Sequence, residues 1–222
     1  PRAHREAPEI AGKLRVVGVT GSSGKTSTKE LIAAILTTFA GDPAEVLKTE
    51  GNLNNEIGVP LTLFGLGPEH RSAVIEMGMS ARGEIDRLAR IAEPQVGAVT
   101  MAGEAHLETL GSLDAIADAK AELYLALPPN GIAVANADDA RMYERARASG
   151  KKLLTFSALP GVGDVTLVRL EPTADDGLRF TLAVGTKEFP VHVPGLVGAH
   201  NAMNAACAAA AAVALGCTNR EI

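Results

Sequence analysis

Apolar and polar positions fall into alternating blocks along the chain, and the blocks predict strands and helices in turn. Residues 14–20 (LRVVGVT) form a β-branched apolar run that ends in a Gly/Ser-rich turn, and residues 26–39 then carry apolar side chains at helical spacing. The order of strand, loop and helix returns twice, with residues 72–77 before 83–91 and residues 96–101 before 112–127. Residues 132–136 and 153–156 add two strands around a helix near 139–148, and residues 46–48 read as a further short strand. Strands that alternate with helices predict an α/β fold, a doubly wound and mostly parallel sheet.

The period changes to two between residues 164 and 193. Three runs, VTLVRL, LRFTLAV and KEFPVHV, are separated by DDG and by the glycine before Thr186, which predicts a small antiparallel β-meander appended to the main sheet. A helix over 200–215 follows, and then TNREI, an N-cap with a fresh helical start. The expected organisation is a linker remnant at 1–13 and one domain at 14–222, with the subsheet at 164–193 and no internal repeat.

Composition narrows the class. Hydrophobic residues make up 46% and charged residues 21%, so a buried core is expected; aromatics are 3% with no Trp, so Ala, Val, Leu and Ile must build it. The formal net charge of −5, without any long Lys/Arg run, argues against a nucleic-acid partner. A polyanionic small substrate then needs local donors. Cys207 and Cys217 have neither metal nor disulfide-framework spacing, which suits a reducing, cytoplasmic setting. Nothing in the first residues reads as a signal peptide, and the most apolar segment, 205–215, is about half the roughly 20 residues a membrane span needs. Membrane insertion is not expected.

The strongest motif is Gly21-Ser22-Ser23-Gly24-Lys25-Thr26-Ser27, between a strand and a helix. Backbone N–H groups of such a loop cradle phosphates, Lys25 reaches the β- and γ-phosphates, and the Thr26 hydroxyl can ligate Mg²⁺. Val19 stands where the standard pattern has its first glycine, so the loop is a shortened variant. Glu76 closes an apolar strand, where it either faces solvent or holds Mg²⁺ at the sheet's carboxyl edge. His106 follows the next strand and falls on the same edge, as a structural residue or a ligand. Lys120 lies on a half-apolar helix face, where a lysine usually snorkels to the surface. Asn54 and Asn55 sit in a Gly-bounded loop as turn-formers or polar contacts. Asn201, with Asn204 one turn on, opens the Ala-rich helix as a cap or a ligand contact.

The segments TGSSGKTSTKE, GNLNNEIGVPLTL, VIEMG, GEAHLETLGSLDAIADAKAELY, ANADD and GAHNAMNAA, in that order, resemble the Mur ligase family over nearly the whole chain. GNLNNEIGVPLTL is most similar to the members that add D-alanyl-D-alanine. The resemblance implies the central ATP-binding domain of a cytoplasmic, monomeric ligase of peptidoglycan-precursor synthesis, with ATP and Mg²⁺ as cofactors. UDP-N-acetylmuramoyl-tripeptide and D-alanyl-D-alanine are its implied substrates, joined through an acyl phosphate. An N-terminal UDP-binding domain and a C-terminal closing domain are then missing from these residues, and the fragment alone is expected not to ligate. Position by position, Lys25 matches the lysine on the phosphates, and Thr26, Glu76 and His106 match metal ligands. Lys120 matches a lysine carbamylated by CO₂, which turns a cation into an anion facing the metal. Asn54 and Asn55 match the substrate loop, Asn201 and Asn204 the nucleotide contacts; the role of Asn136 and Asp138 stays open. The alternatives are another Mur ligase, a folylpolyglutamate synthetase-like ligase, a non-catalytic P-loop module, or a P-loop GTPase, whose Asn-Lys-x-Asp segment the sequence lacks.

Overall fold

A computed structural model describes residues 14–105, 107–171 and 177–222. The expected linker at 1–13, His106 and part of the DDG turn lie outside the described residues. Strand β1 (Arg15–Thr20) leads into α1 (Lys25–Ala40), β2 (Val46–Lys48) into α2 (Gly58–Phe64), and β3 (Ser72–Glu76) into α3 (Glu84–Ala92). Next come β4 (Val96–Val99), α4 (Leu107–Leu110), α5 (Leu113–Ala126), β5 (Ile132–Asn136), α6 (Ala140–Ala148) and β6 (Lys152–Ser157). The last elements are β7 (Val165–Leu170), β8 (Gly177–Val184), β9 (Lys187–Pro194) and α7 (His200–Ala214).

The strands form one sheet in the order β2-β3-β1-β4-β5-β6-β7-β8-β9, parallel from β2 to β7 and antiparallel beyond. The meander is therefore not a separate small sheet. Strand β7 pairs with β6 through Phe156↔Val165 and Ser157↔Thr166, covering an edge whose N–H and C=O groups would otherwise lack partners.

Alternation along the strands sorts the core into two layers. Val16, Ala73, Ile75 and Val99 face α3, α5 and α6, whereas Val17, Val19, Val74 and Ala98 face α1 and α7. Burial on both faces explains why the strands read as unbroken apolar runs. Two glycines set the depth of one helix. A Cβ on Gly18 or on Gly97 would come within 2.9 Å of Leu123, so α5 sits down on β1 and β4 because neither residue has a side chain.

Parallel strands bring the ends of β1, β3, β4 and β5 to one rim. From β1 the chain winds out through β2 and β3, then crosses to β4 on the other side, which opens a crevice at the carboxyl ends where such sheets bind ligands.

Candidate nucleotide-binding site

The loop 21–24 is clipped to the exit of β4. Ser22 N donates to Met101 O (2.9 Å), Ser22 Oγ both donates to Gly103 O (3.0 Å) and accepts from Gly103 N (2.8 Å), and Thr100 Oγ1 donates to Ser23 O (2.6 Å). Gly24 caps α1 in the left-handed region, φ +79°, and offers no side-chain acceptor. The first-turn N–H groups of α1 therefore lack a side-chain cap, and with the positive end of the helix dipole they make an anion cradle.

Glu76 is 2% exposed, so the solvent-facing alternative fails. Its Oε2 accepts from Thr26 Oγ1 (3.0 Å), its Oε1 from Asn54 Nδ2 (2.8 Å), and its backbone N–H donates to Thr49 Oγ1 (3.0 Å). One carboxylate beside a threonine hydroxyl, at the mouth of a phosphate cradle, is a hard-oxygen set that fits Mg²⁺ sharing phosphate oxygens. Among the described residues no three His, Cys, Asp or Glu side chains cluster as an all-protein cage, and Mg²⁺ at phosphates does not require one.

Lys25 Nζ folds back to Gly21 O (2.9 Å). Burial lowers the pKa of Lys25, against the opposing pull of Glu76. Lys120 is 1% exposed and does not snorkel to the surface, because α5 sits closely on β1 and β4. Burial lowers its pKa to about 8, with the charge of Lys25 pushing the same way, so two cations share this crevice. Helix α5 is fixed from outside as well. Asp118 bridges Arg82 (2.6 Å) and Arg145 (2.7 Å), and Glu122 accepts from the N–H groups of Gly83 (2.8 Å) and Asp86 (3.1 Å), capping α3.

Beside the loop lies a cleft of about 390 Å³, lined among others by Ser27, Thr100, Asn136, Phe156, His200 and Asn204. The two α7 asparagines reach the loop in series. Asn201 Nδ2 donates to Val197 O (2.7 Å), Asn204 Nδ2 donates to Asn201 Oδ1 (2.8 Å), and Asn204 Oδ1 occupies the space a Cβ on Gly24 would need. Asn201 is thus no N-cap; α7 is capped at Ala199, and the Asn201 amide anchors Asn204. In ANADD, Asn136 Oδ1 accepts from Asp138 N (2.9 Å) and Asp138 takes Ser157 Oγ (2.5 Å). Asp139 joins α6 to the β4 exit by accepting from Met142 N (3.2 Å) and Ala102 N (2.8 Å).

Lys25, Thr26, Asn54 and Glu76 therefore gather at one rim, and Lys120 lies buried on α5 where the charge of Lys25 reaches it. Asn55, next to Asn54 on the same loop, uses its Oδ1 to accept from Ile57 N (3.1 Å) and Gly58 N (2.9 Å), a local turn at the start of α2. His106 cannot be placed among them, as it is outside the described residues. Sequence reasoning missed Thr100, whose position at the end of β4 was the available signal, and the buried Lys29, which nothing in the pattern separates from an exposed helix lysine.

The Mur ligase middle domain family matches residues 19–212. The UDP-N-acetylmuramoyl-tripeptide–D-alanyl-D-alanine ligase of Escherichia coli K12 is 43% identical over 92% of this chain and 44% of its own length. MurF from Acinetobacter baumannii superposes with a TM-score of 0.85 at 37% identity, over 98% of this chain and 46% of that one. The MurF ligase of Thermotoga maritima, solved in complex with ADP, gives 0.84 at 30% identity, over 98% and 49%. The chain spans less than half the length of these relatives. With that match over most of its residues, and with a phosphate loop, its lysine and a buried carboxylate at one sheet rim, the chain belongs to the Mur ligase family, as its middle domain.

Proposed function

We propose that this chain is the ATP-binding part of a ligase that joins D-alanyl-D-alanine to UDP-N-acetylmuramoyl-tripeptide. The carrying observation is the Thr26–Glu76–Asn54 contact set beside the phosphate loop; the choice of substrates is supported by the names of the E. coli and A. baumannii relatives. In the reaction a substrate carboxylate oxygen attacks the γ-phosphorus, the bond to the bridging oxygen breaks, and acyl phosphate and ADP result. The dipeptide amine then attacks the acyl carbon, and phosphate leaves with loss of the amine proton.

Triphosphate and carboxylate repel each other, so the demand on the protein is charge neutralisation and alignment. The α1 N-terminus and Lys25 bind phosphate oxygens. Thr26 and Glu76 are the residues to hold Mg²⁺, which when bound neutralises the developing charge on β- and γ-oxygens. Asn54 orients Glu76 by its 2.8 Å bond. A lowered pKa leaves more of Lys120 as neutral amine, the form whose nitrogen attacks CO₂ to give a carbamate with release of a proton. The cleft beside Asn204 suits the nucleoside. A cytoplasmic enzyme fits these substrates.

The test is the longer protein containing this chain, assayed with ATP, Mg²⁺, UDP-N-acetylmuramoyl-tripeptide and one amine at a time. Phosphate release with D-alanyl-D-alanine but not with L-alanine or D-glutamate supports the reading. Release with a single amino acid instead assigns another member of the family, and none with any amine leaves only a nucleotide-binding module. The 222-residue chain alone is expected not to ligate, since closure over the substrates needs further structure.

A further inference from the structure

Lys29 is 1% exposed in the second turn of α1, on the helix that begins with Lys25 and Thr26. A lysine buried this deeply must find an acceptor. Its Nζ donates to Thr49 O (2.7 Å), just beyond β2, and pairs with Glu30 Oε1 (2.9 Å); Glu30 Oε2 in turn takes Lys48 Nζ (2.5 Å). Two consecutive residues of α1 thus latch two consecutive residues at the end of β2.

Thr49 is fully buried and leads into the loop that carries Asn54. Its other bonds all run to β3: Thr49 N donates to Val74 O (3.0 Å), and Thr49 Oγ1 accepts from Glu76 N (3.0 Å). Five residues later Asn54 meets the Glu76 carboxylate, while Asn54 O accepts from Gly78 N (2.7 Å). Both ends of the 49–54 segment therefore close on Glu76 and its neighbours. The one cation that ties this segment back to the phosphate-loop helix is Lys29, among the described residues.

We propose that Lys29 is a positioning residue of the metal–phosphate site: through Thr49 it fixes the segment that aims Glu76 and Asn54 at Thr26. The inference rests on the reading of Glu76 as a holder of Mg²⁺. Lys29 touches no substrate; it locks one carboxylate rotamer opposite one hydroxyl. Its loss leaves a buried carbonyl without a donor and frees the segment to shift by fractions of an ångström, enough to misplace a ligand.

The test is the gain in ATP affinity on adding Mg²⁺, measured by calorimetry on the 222-residue chain as the ratio of Kd in EDTA to Kd in Mg²⁺. Lys29→Met is expected to cut that ratio roughly tenfold or more, the size seen when the partner behind a metal ligand is removed. Asn54→Ala should do the same, and the double variant should lose little more than either. Lys29→Arg, which keeps a buried donor, should recover part of the ratio. If Lys29→Met does not fold, Thr49→Val carries the test, since it keeps the shape and deletes the acceptor of the Glu76 N–H. A wild-type ratio in folded Lys29→Met, or in Thr49→Val when Lys29→Met does not fold, overturns the inference, provided Glu76→Gln abolishes the ratio. If Glu76→Gln keeps it, or the wild-type chain shows no gain, the reading of Glu76 falls and the role of Lys29 with it.

Discussion

Thr26 Oγ1 donates a 3.0 Å hydrogen bond to Glu76 Oε2, joining the first turn of α1 to the end of β3 across 50 residues of sequence. Each group alone is an ordinary feature of an α/β protein. Together, at the mouth of an uncapped helix N-terminus, they make a pair of oxygen donors that fits a cation bridging to phosphate. Thr26→Val and Glu76→Gln should each weaken Mg²⁺-ATP binding by roughly 10- to 100-fold. ATP binding in EDTA should change much less. Calorimetry with and without Mg²⁺ checks this, and equal losses in both conditions would argue that the pair is merely structural.

Lys120 gives a prediction with a pH sign. Its pKa in the folded chain is lowered from 10.5 to about 8, so between these values the unfolded chain binds a proton that the folded chain has released. Its contribution to stability therefore rises with pH across that window, and below it the cost of burying the ammonium stands in full. Lys120→Met should stabilise the chain at pH 7 by on the order of 2 kcal/mol, and the gain should shrink toward zero as pH approaches 10.5. The raised pKa values of Tyr124 and Cys207 act on both proteins equally and cancel in the difference. Urea unfolding in CO₂-free buffer measures it; no gain at pH 7 would contradict the burial of a charged lysine.

Gly24 and Asn204 should be energetically coupled. Gly24 adopts φ +79°, and a methyl there would overlap Asn204 Oδ1. Gly24→Ala is expected to cost about 1–2 kcal/mol in backbone strain alone, with a further penalty for the overlap. Asn204→Ala removes that second part, so the double variant should be less destabilised than the sum, by about 0.5–3 kcal/mol. A thermal or urea double-mutant cycle reads the coupling directly, and strict additivity would count against the contact.

Much of this architecture was legible in the sequence because both-face burial writes itself as continuous apolar runs. The phosphate loop was legible because its glycines and its strand-to-helix context are local. The helix expected over 112–127 begins where Ser112 Oγ accepts from Ala115 N at 3.1 Å, capping α5. Long-range pairing was less visible. The meander reads the same whether it stands alone or, as here, continues the sheet from β6, since period two reports faces and not neighbours. The sequence does not show helix α2 because apolar residues lie on both its faces: Gly58, Val59, Thr62 and Leu63 form the buried stripe, whereas Leu61 and Phe64 are 53% and 83% exposed and blur its helical period. The depth of α5 depends on Gly18 and Gly97 lying beneath Leu123, a contact between elements that no spacing within one element reports. For the same reason the pattern marks Lys120 as a surface lysine and does not single out Lys29.

The most direct measurement is a crystal structure of this chain with Mg²⁺ and a non-hydrolysable ATP analogue. The account predicts the phosphates on the 21–24 loop, Lys25 Nζ released from Gly21 O onto them, and Mg²⁺ about 2.1 Å from Thr26 Oγ1 with Glu76 beside it. Phosphates bound away from α1, or a metal that touches neither Thr26 nor Glu76, would contradict it.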